Sequence, residues 1–159
     1  SALFSVSILN TTQAQGALAV MVFSAAMGAF RLFADRVVAK VGRVLVIRYG
    51  SLLSALGIAL ALTAPIWWLS IAGWLVAGLG ISAVVPQLFA YSASIGEESH
   101  SARNMAKVFG ITYAGMLGGP ALIGFIALVA PLNRALLIGV VLAVFIAAAS
   151  FLLSNKTQE

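Results

Sequence analysis

"GAFRLFADRVVAKVGRVLVIR", residues 28–48, gathers five of the chain's nine basic residues and one of its four acids, Asp35. On either side of it the sequence is apolar. Hydrophobic residues make up 62% of the 159 residues and charged ones 8%, with a mean hydropathy of +1.11. A soluble domain carries roughly 25% charged residues, so this chain has too few polar groups to cover a water-facing surface. Its solvent is lipid, and the charged stretch joins two segments that lie in the bilayer.

Five long apolar segments follow from that starting point: Ala14 to Ala34, Leu45 to Thr63, Trp67 to Ser92, Ala106 to Ala130 and Ala135 to Leu153. Each can cross ~30 Å of hydrocarbon at 1.5 Å per residue. A helix satisfies its backbone within one segment, which lipid requires. The alternating ~10-residue segments of a barrel are absent. The expected fold class is all-α, a polytopic membrane protein with five transmembrane helices. Residues 1–9, "SALFSVSIL", are apolar but too short to span. With no initiating Met and no signal-peptide pattern, they are expected to be the tail of a preceding helix in a chain that begins in mid-protein.

The connections alternate in charge. Arg31, Arg36, Lys40, Arg43, Arg48, Arg103, Lys107 and Lys156 fall on one side, and Arg134 alone on the other. Basic residues collect on the cytoplasmic side, so the 35–44 and 93–105 connections and the C-terminus are expected there. "API" at 64–66 and "PLNR" at 131–134 then face outward, with Trp67 and Trp68 anchored at the outer interface. The isoelectric point of 10.3 reflects this asymmetry and implies no nucleic acid. Without cysteine there is no disulfide or thiolate metal site, and no metal or cofactor is implied.

Within the opening stretch, Gly28, Arg31 and Asp35 lie on one helical stripe. Asp35 sits near a helix C-terminus, where the macrodipole disfavours an anion, and the acid is C-terminal to Arg31, the poorer pairing order. A better partner elsewhere is expected. On composition alone the stretch reads as a solvated, positively charged cytoplasmic loop, and it is the spacing of its residues that points further. In the third segment Pro86 removes one backbone bond and frees the Ser82 carbonyl, which needs a partner in lipid. Gly80, Ala83, Gln87 and Tyr91 share a face, and an amide at Gln87 is costly against lipid. In the fourth, Thr112, Gly115 and Gly119 form a small-residue stripe with the close-packing spacing. Pro120 frees the Met116 carbonyl and marks a hinge. The second and fifth segments are uninterrupted and read as lipid-facing scaffold. His100 is read as a solvated side chain, and the Asn10–Thr12 sequon as a chance triplet.

Gly28-x-x-Arg31-x-x-x-Asp35-Arg36 followed by Lys40-x-Gly42-Arg43 resembles the signature loop of the major facilitator superfamily. It departs from the strict pattern in a longer Asp-to-Gly spacing and in Val44, where a second basic residue is usual. "GLGISAVVPQ" and "GGPALIGFIA" are similar to the tenth and eleventh helices of sugar-permease-like bacterial members, so the resemblance covers nearly the whole chain. It implies the C-terminal half of a twelve-helix transporter: helices eight to twelve, the tail of helix seven, and a missing N-terminal six-helix half. It further implies a conformational latch at Gly28, Arg31, Asp35, Arg36, Gly42 and Arg43, with Gly28 permitting close helix approach. Ser82, Pro86, Gln87 and Tyr91 become candidate lining of a substrate cavity, and Thr112, Gly115, Gly119 and Pro120 a hinge and packing stripe.

An intramembrane enzyme would need a nucleophile with a base or clustered metal ligands, and the segments carry neither. A pore would need rings of carbonyls or charges. Interrupted helices near mid-membrane are the mark of secondary transporters. The expected function is therefore a permease for a small-molecule substrate, in the lipid bilayer of a bacterial inner membrane. A non-transporting membrane subunit or assembly partner is the alternative.

Overall fold

The computed structural model describes residues 12–94 and 98–153, and these residues are helical apart from short connections. The sequon's Asn10 and Thr11, the expected helix tail at 1–9 and Lys156 lie outside them. Helix α1 spans Gln13–Val41. The Thr12 hydroxyl accepts from the Gln15 amide at 3.3 Å, and the Gln15 side-chain oxygen accepts from the Thr12 amide at 2.9 Å. This reciprocal cap satisfies two of the amides that a helix start leaves free.

The structure corrects the expected end of α1. The helix does not stop at Ala34 but runs through the charged stretch, because nothing between Ala34 and Val41 breaks a helix. Gly42 alone makes the connection, with φ 86° and ψ 155°, a backbone conformation that favours glycine. Helix α2 begins immediately, Arg43–Thr63, and ends as Ala64 turns extended ahead of Pro65. The third span is split into α3, Trp67–Ile81, and α4, Val84–Ala93. Helix α5 is Glu98–Ala127, so the connection expected at 93–105 also shortens. Helix α6, Leu132–Ala149, follows Pro131 and closes in a 3-10 turn, Ser150–Leu152. Among the described residues, five helical segments are long and apolar enough to cross a membrane, with α3 and α4 together forming one of them, Trp67–Ala93.

Helix α2 is the centre of the bundle, packed against α3 on one side and α6 on the other. Its seam with α3 is antiparallel and made of small residues. A methyl group on Gly50 would fall 2.7 Å from the Gly80 carbonyl oxygen, and one on Gly73 would fall 2.7 Å from that of Gly57. Ser54, Ala61 and Ala77 are buried along the same seam, and the Ser70 hydroxyl donates across it to the Ala61 carbonyl at 3.0 Å. Close backbone approach of this kind is how helices associate where no hydrophobic force separates them from lipid. The second span is therefore not lipid-facing scaffold. Its glycines are seven residues apart and face a matching pair, which places it at the core.

Helix α1 runs parallel to α3. Phe23 meets Trp74 edge-on, with centroids 6.4 Å apart, and the Phe23 carbonyl lies where a Gly78 side chain would be. The close approach is at Gly78 and not at Gly28, whose missing side chain would meet nothing within 4 Å. Helix α5 is peripheral. It touches α4 and α6, with Phe89 and Phe109 stacked 4.3 Å apart, and none of its most apolar stretch is buried.

Candidate functional site

The interruption in the third span is the feature around which the candidate residues gather. An α-helix would pair the Ser82 carbonyl with the amide of residue 86, and Pro86 has none. The helix gives way at Ser82 and Ala83, and α4 restarts with Pro86 in its first turn. Ser82 is fully buried, and its hydroxyl donates back to the Leu79 carbonyl at 2.7 Å. Its carbonyl accepts from the Nε of Arg31 on α1, at 3.4 Å. Two residues from different groups, one of the loop motif and one of the broken helix, are thus brought together.

Ala83, Gln87 and Tyr91 form the inward face of the break and are buried among the helices. Gln87 is 8% exposed, and its side-chain oxygen is buried without a hydrogen-bond partner among the described residues. An amide oxygen left unpaired in an apolar setting is costly. Pro86, by contrast, is exposed, off that face of α4. An apolar groove of ≈ 250 Å³ runs beside the break between α1, α2 and α3, from Phe30 and Val37 past Tyr49 and Leu53 to Gly80 and Ala83. It offers a polar solute almost nothing to bind.

The loop-motif residues separate. Arg31 reaches the break, while Asp35 and Arg36 lie exposed on the last turns of α1. Asp35 has no ion pair or hydrogen bond with a described residue. The Arg36 guanidinium stands 5.9 Å from the centre of the Phe33 ring. Gly42 has a clear structural task as the turn between α1 and α2, and Arg43 starts α2. The fourth-span residues stay apart from both groups. Helix α5 runs unbroken through Pro120. Thr112 is exposed, and its hydroxyl donates to the Val108 carbonyl at 2.8 Å. Side chains placed on Gly115 or Gly119 would meet nothing within 4 Å.

A family model described as Major Facilitator Superfamily matches residues 1–159. The chain belongs to the major facilitator superfamily. It is 38% identical over 137 residues to an uncharacterized MFS-type transporter of Yersinia pestis, across 85% of this chain and 35% of the relative. It is 35% identical over 157 residues to the membrane protein MosC of Rhizobium meliloti, across 94% of this chain and 37% of that protein. An uncharacterized transporter of Sinorhizobium fredii is 32% identical over 127 residues, 80% of this chain and 33% of the relative. The chain spans about a third of the length of the curated relatives it matches. No solved structure matches it.

Two features of this superfamily member escape sequence reasoning. Arg48, counted above only as an orienting charge, clamps the end of α6. Its Nε and a terminal nitrogen donate to the hydroxyl and carbonyl of Ser150, each at 3.2 Å, and its guanidinium lies 3.8 Å from the centre of the Phe151 ring. A cation at a helix C-terminus also complements the macrodipole. The other is the seam of Gly50 and Gly57 against Gly73 and Gly80. The equal seven-residue spacing in consecutive spans was the available signal.

Proposed function

We propose that the protein is a secondary active transporter of a small solute, working by alternating access, of which this chain forms the C-terminal half. The proposed setting is a bacterial inner membrane with the Gly42 end of the bundle and the C-terminus in the cytoplasm. The single observation that carries this reading is the break at Ser82–Ala83, with a buried, unpaired Gln87 oxygen one turn beyond it. Transporter sites form where a helix is interrupted near mid-membrane, and an unsatisfied amide there is a group a substrate can reach when the break moves. Counting from Trp67 at 1.5 Å per residue, the break at Ser82 lies ~22 Å along a 27-residue span of ~40 Å, just past its middle. Gln87 lies ~30 Å along, toward its cytoplasmic end. Ser82 and Tyr91 join it as the proposed cavity face, while Pro86, exposed off that face, contributes the break itself.

Asp35 at the end of α1, with Arg36 and Arg43 beside Gly42, is proposed as the latch. An acid at a helix C-terminus is unfavourably placed on its own helix. A cluster that formed in only one conformation would offset that and favour the state in which it forms. The partners that close it would come from another conformation or from the remainder of the protein. Gly115 and Gly119, open in this chain, are proposed to pack against a helix of that remainder.

The test needs no substrate. Gln87→Cys in the full-length protein is exposed to an impermeant thiol reagent from each face of sealed vesicles of known orientation. Alternating access predicts modification from either face, and Asp35→Asn should change the ratio of the two rates. Modification from neither face, or from one face with a ratio that Asp35→Asn leaves unaltered, would favour a non-transporting subunit.

A further inference from the structure

We propose that Arg31 is a positioning residue for the third span: its guanidinium takes the place of the backbone amide that Pro86 lacks and holds the break in one geometry. The Ser82 carbonyl loses its helical donor to Pro86. Ser82 is fully buried, so water does not replace that donor, and its hydroxyl is already committed to the Leu79 carbonyl at 2.7 Å. Arg31 Nε, at 3.4 Å, is the donor that reaches the carbonyl among the described residues.

The need runs both ways. Arg31 lies four residues before Asp35, where the exposed charged end of α1 begins, ~6 Å along the axis. A cation at the inner edge of the apolar segment takes a carbonyl or a counter-charge as partner, and Asp35, one turn on, is not bonded to it. The bond joins residues 51 apart in sequence. It also joins two helices already packed in parallel where Phe23 meets Gly78. The charged end of α1 and the break are thereby tied. If the break moves during transport, which rests on the function proposed above, Arg31 must release the carbonyl or carry it.

The experiment is a double-variant cycle on Pro86. An alanine there restores the amide, so the Ser82 carbonyl regains a helical partner and Arg31 becomes dispensable. Ser82 has φ −54° and ψ −42° and Ala83 φ −97° and ψ −15°, close enough to helical for that bond to form. Val84, fully buried beside the break, is replaced by cysteine as a reporter in the full-length protein in proteoliposomes. Its alkylation by a small membrane-permeant maleimide is then timed. Loss of a charge-assisted hydrogen bond changes a local opening equilibrium by about tenfold, so Arg31→Met, which matches the side chain in length but has no donor, should raise the alkylation rate by about that factor. In the Pro86→Ala background the same substitution should change it by less than about twofold, because the carbonyl no longer needs Arg31. Arg31→Lys and Arg31→Gln, which keep a donor, should fall between. An unchanged rate in Arg31→Met, or an equal rise in both backgrounds, overturns the proposal. If Arg31→Met fails to insert, recovery by Pro86→Ala supports it and continued failure of the double variant overturns it. The readout is independent of solute, so a negative result here leaves the Gln87 accessibility test to judge the transport function separately.

Discussion

Arg48 and Asp35 lie at the same end of the bundle, and their surroundings are opposite. Arg48 makes two directed hydrogen bonds to Ser150 and stacks on Phe151. Arg48→Gln should therefore lower the unfolding free energy by ~1–3 kcal/mol, seen as a lower melting temperature of the detergent-solubilised protein. Arg48→Lys should recover little, since an ammonium cannot supply the planar pair of donors. A melting temperature unchanged in Arg48→Gln would show the clamp to be idle. Asp35 is exposed and unbonded here, so its removal should cost the fold almost nothing. If it acts as a latch, Asp35→Asn shifts the inward–outward equilibrium by ~1–3 kcal/mol. Transport would then fall sharply, while affinity measured in a conformationally locked state stays close to that of the parent. Gln87→Ala should do the reverse and weaken binding first. Intact transport in Asp35→Asn would reduce the charged stretch to an orientation signal. The burial of Gln87 was legible from the cost of an amide in lipid. The pairing of Arg31 with Ser82 was not, because it spans two helices.

Among the elements, the informative comparison is between two sets of glycines. Those of α2 and α3 lie against backbone, and those of α5 lie against nothing in this chain. Gly73→Val should force α2 and α3 apart at a cost of at least ~1–3 kcal/mol, the usual range for overpacking. Gly115→Ala should leave the bundle of this chain unharmed and even favour α5 by up to ~1 kcal/mol of helix propensity. Parallel melting curves of the two variants check this, and equal destabilisation would contradict the packing described. The close-packing signal in α5 was legible in the sequence, but its partner was not. Spacing alone cannot distinguish a glycine seam already filled from one that awaits a helix. The Gly42 turn belongs to the same scale: composition marked a charged connection of ten residues, and backbone sterics compressed it to one.

For the whole molecule, the charge asymmetry predicts a topology that labelling can check. Lys40→Cys should be protected from an impermeant maleimide added to intact cells, and Asn133→Cys should react. The opposite pattern would invert the bundle. Expressed alone, the 159-residue chain should be poorly stable and inactive. Large apolar side chains such as Leu117, Phe125 and Met116 stand exposed on α5, and its glycine face has no cover. Robust solute uptake by the purified chain would contradict this and favour self-assembly.

Hydropathy by itself determined that the chain is helical, lipid-embedded and five times spanning, because a backbone without water has few ways to satisfy its hydrogen bonds. Proline chemistry alone located the freed carbonyl at Ser82. Only the tertiary structure decided which helix is central, because the order of packing depends on which small faces meet, and α2 meets two. It also decided that Arg31 serves the break and Arg48 the end of α6. A cation's partner is set by what lies across the helix interface, and no local spacing records that.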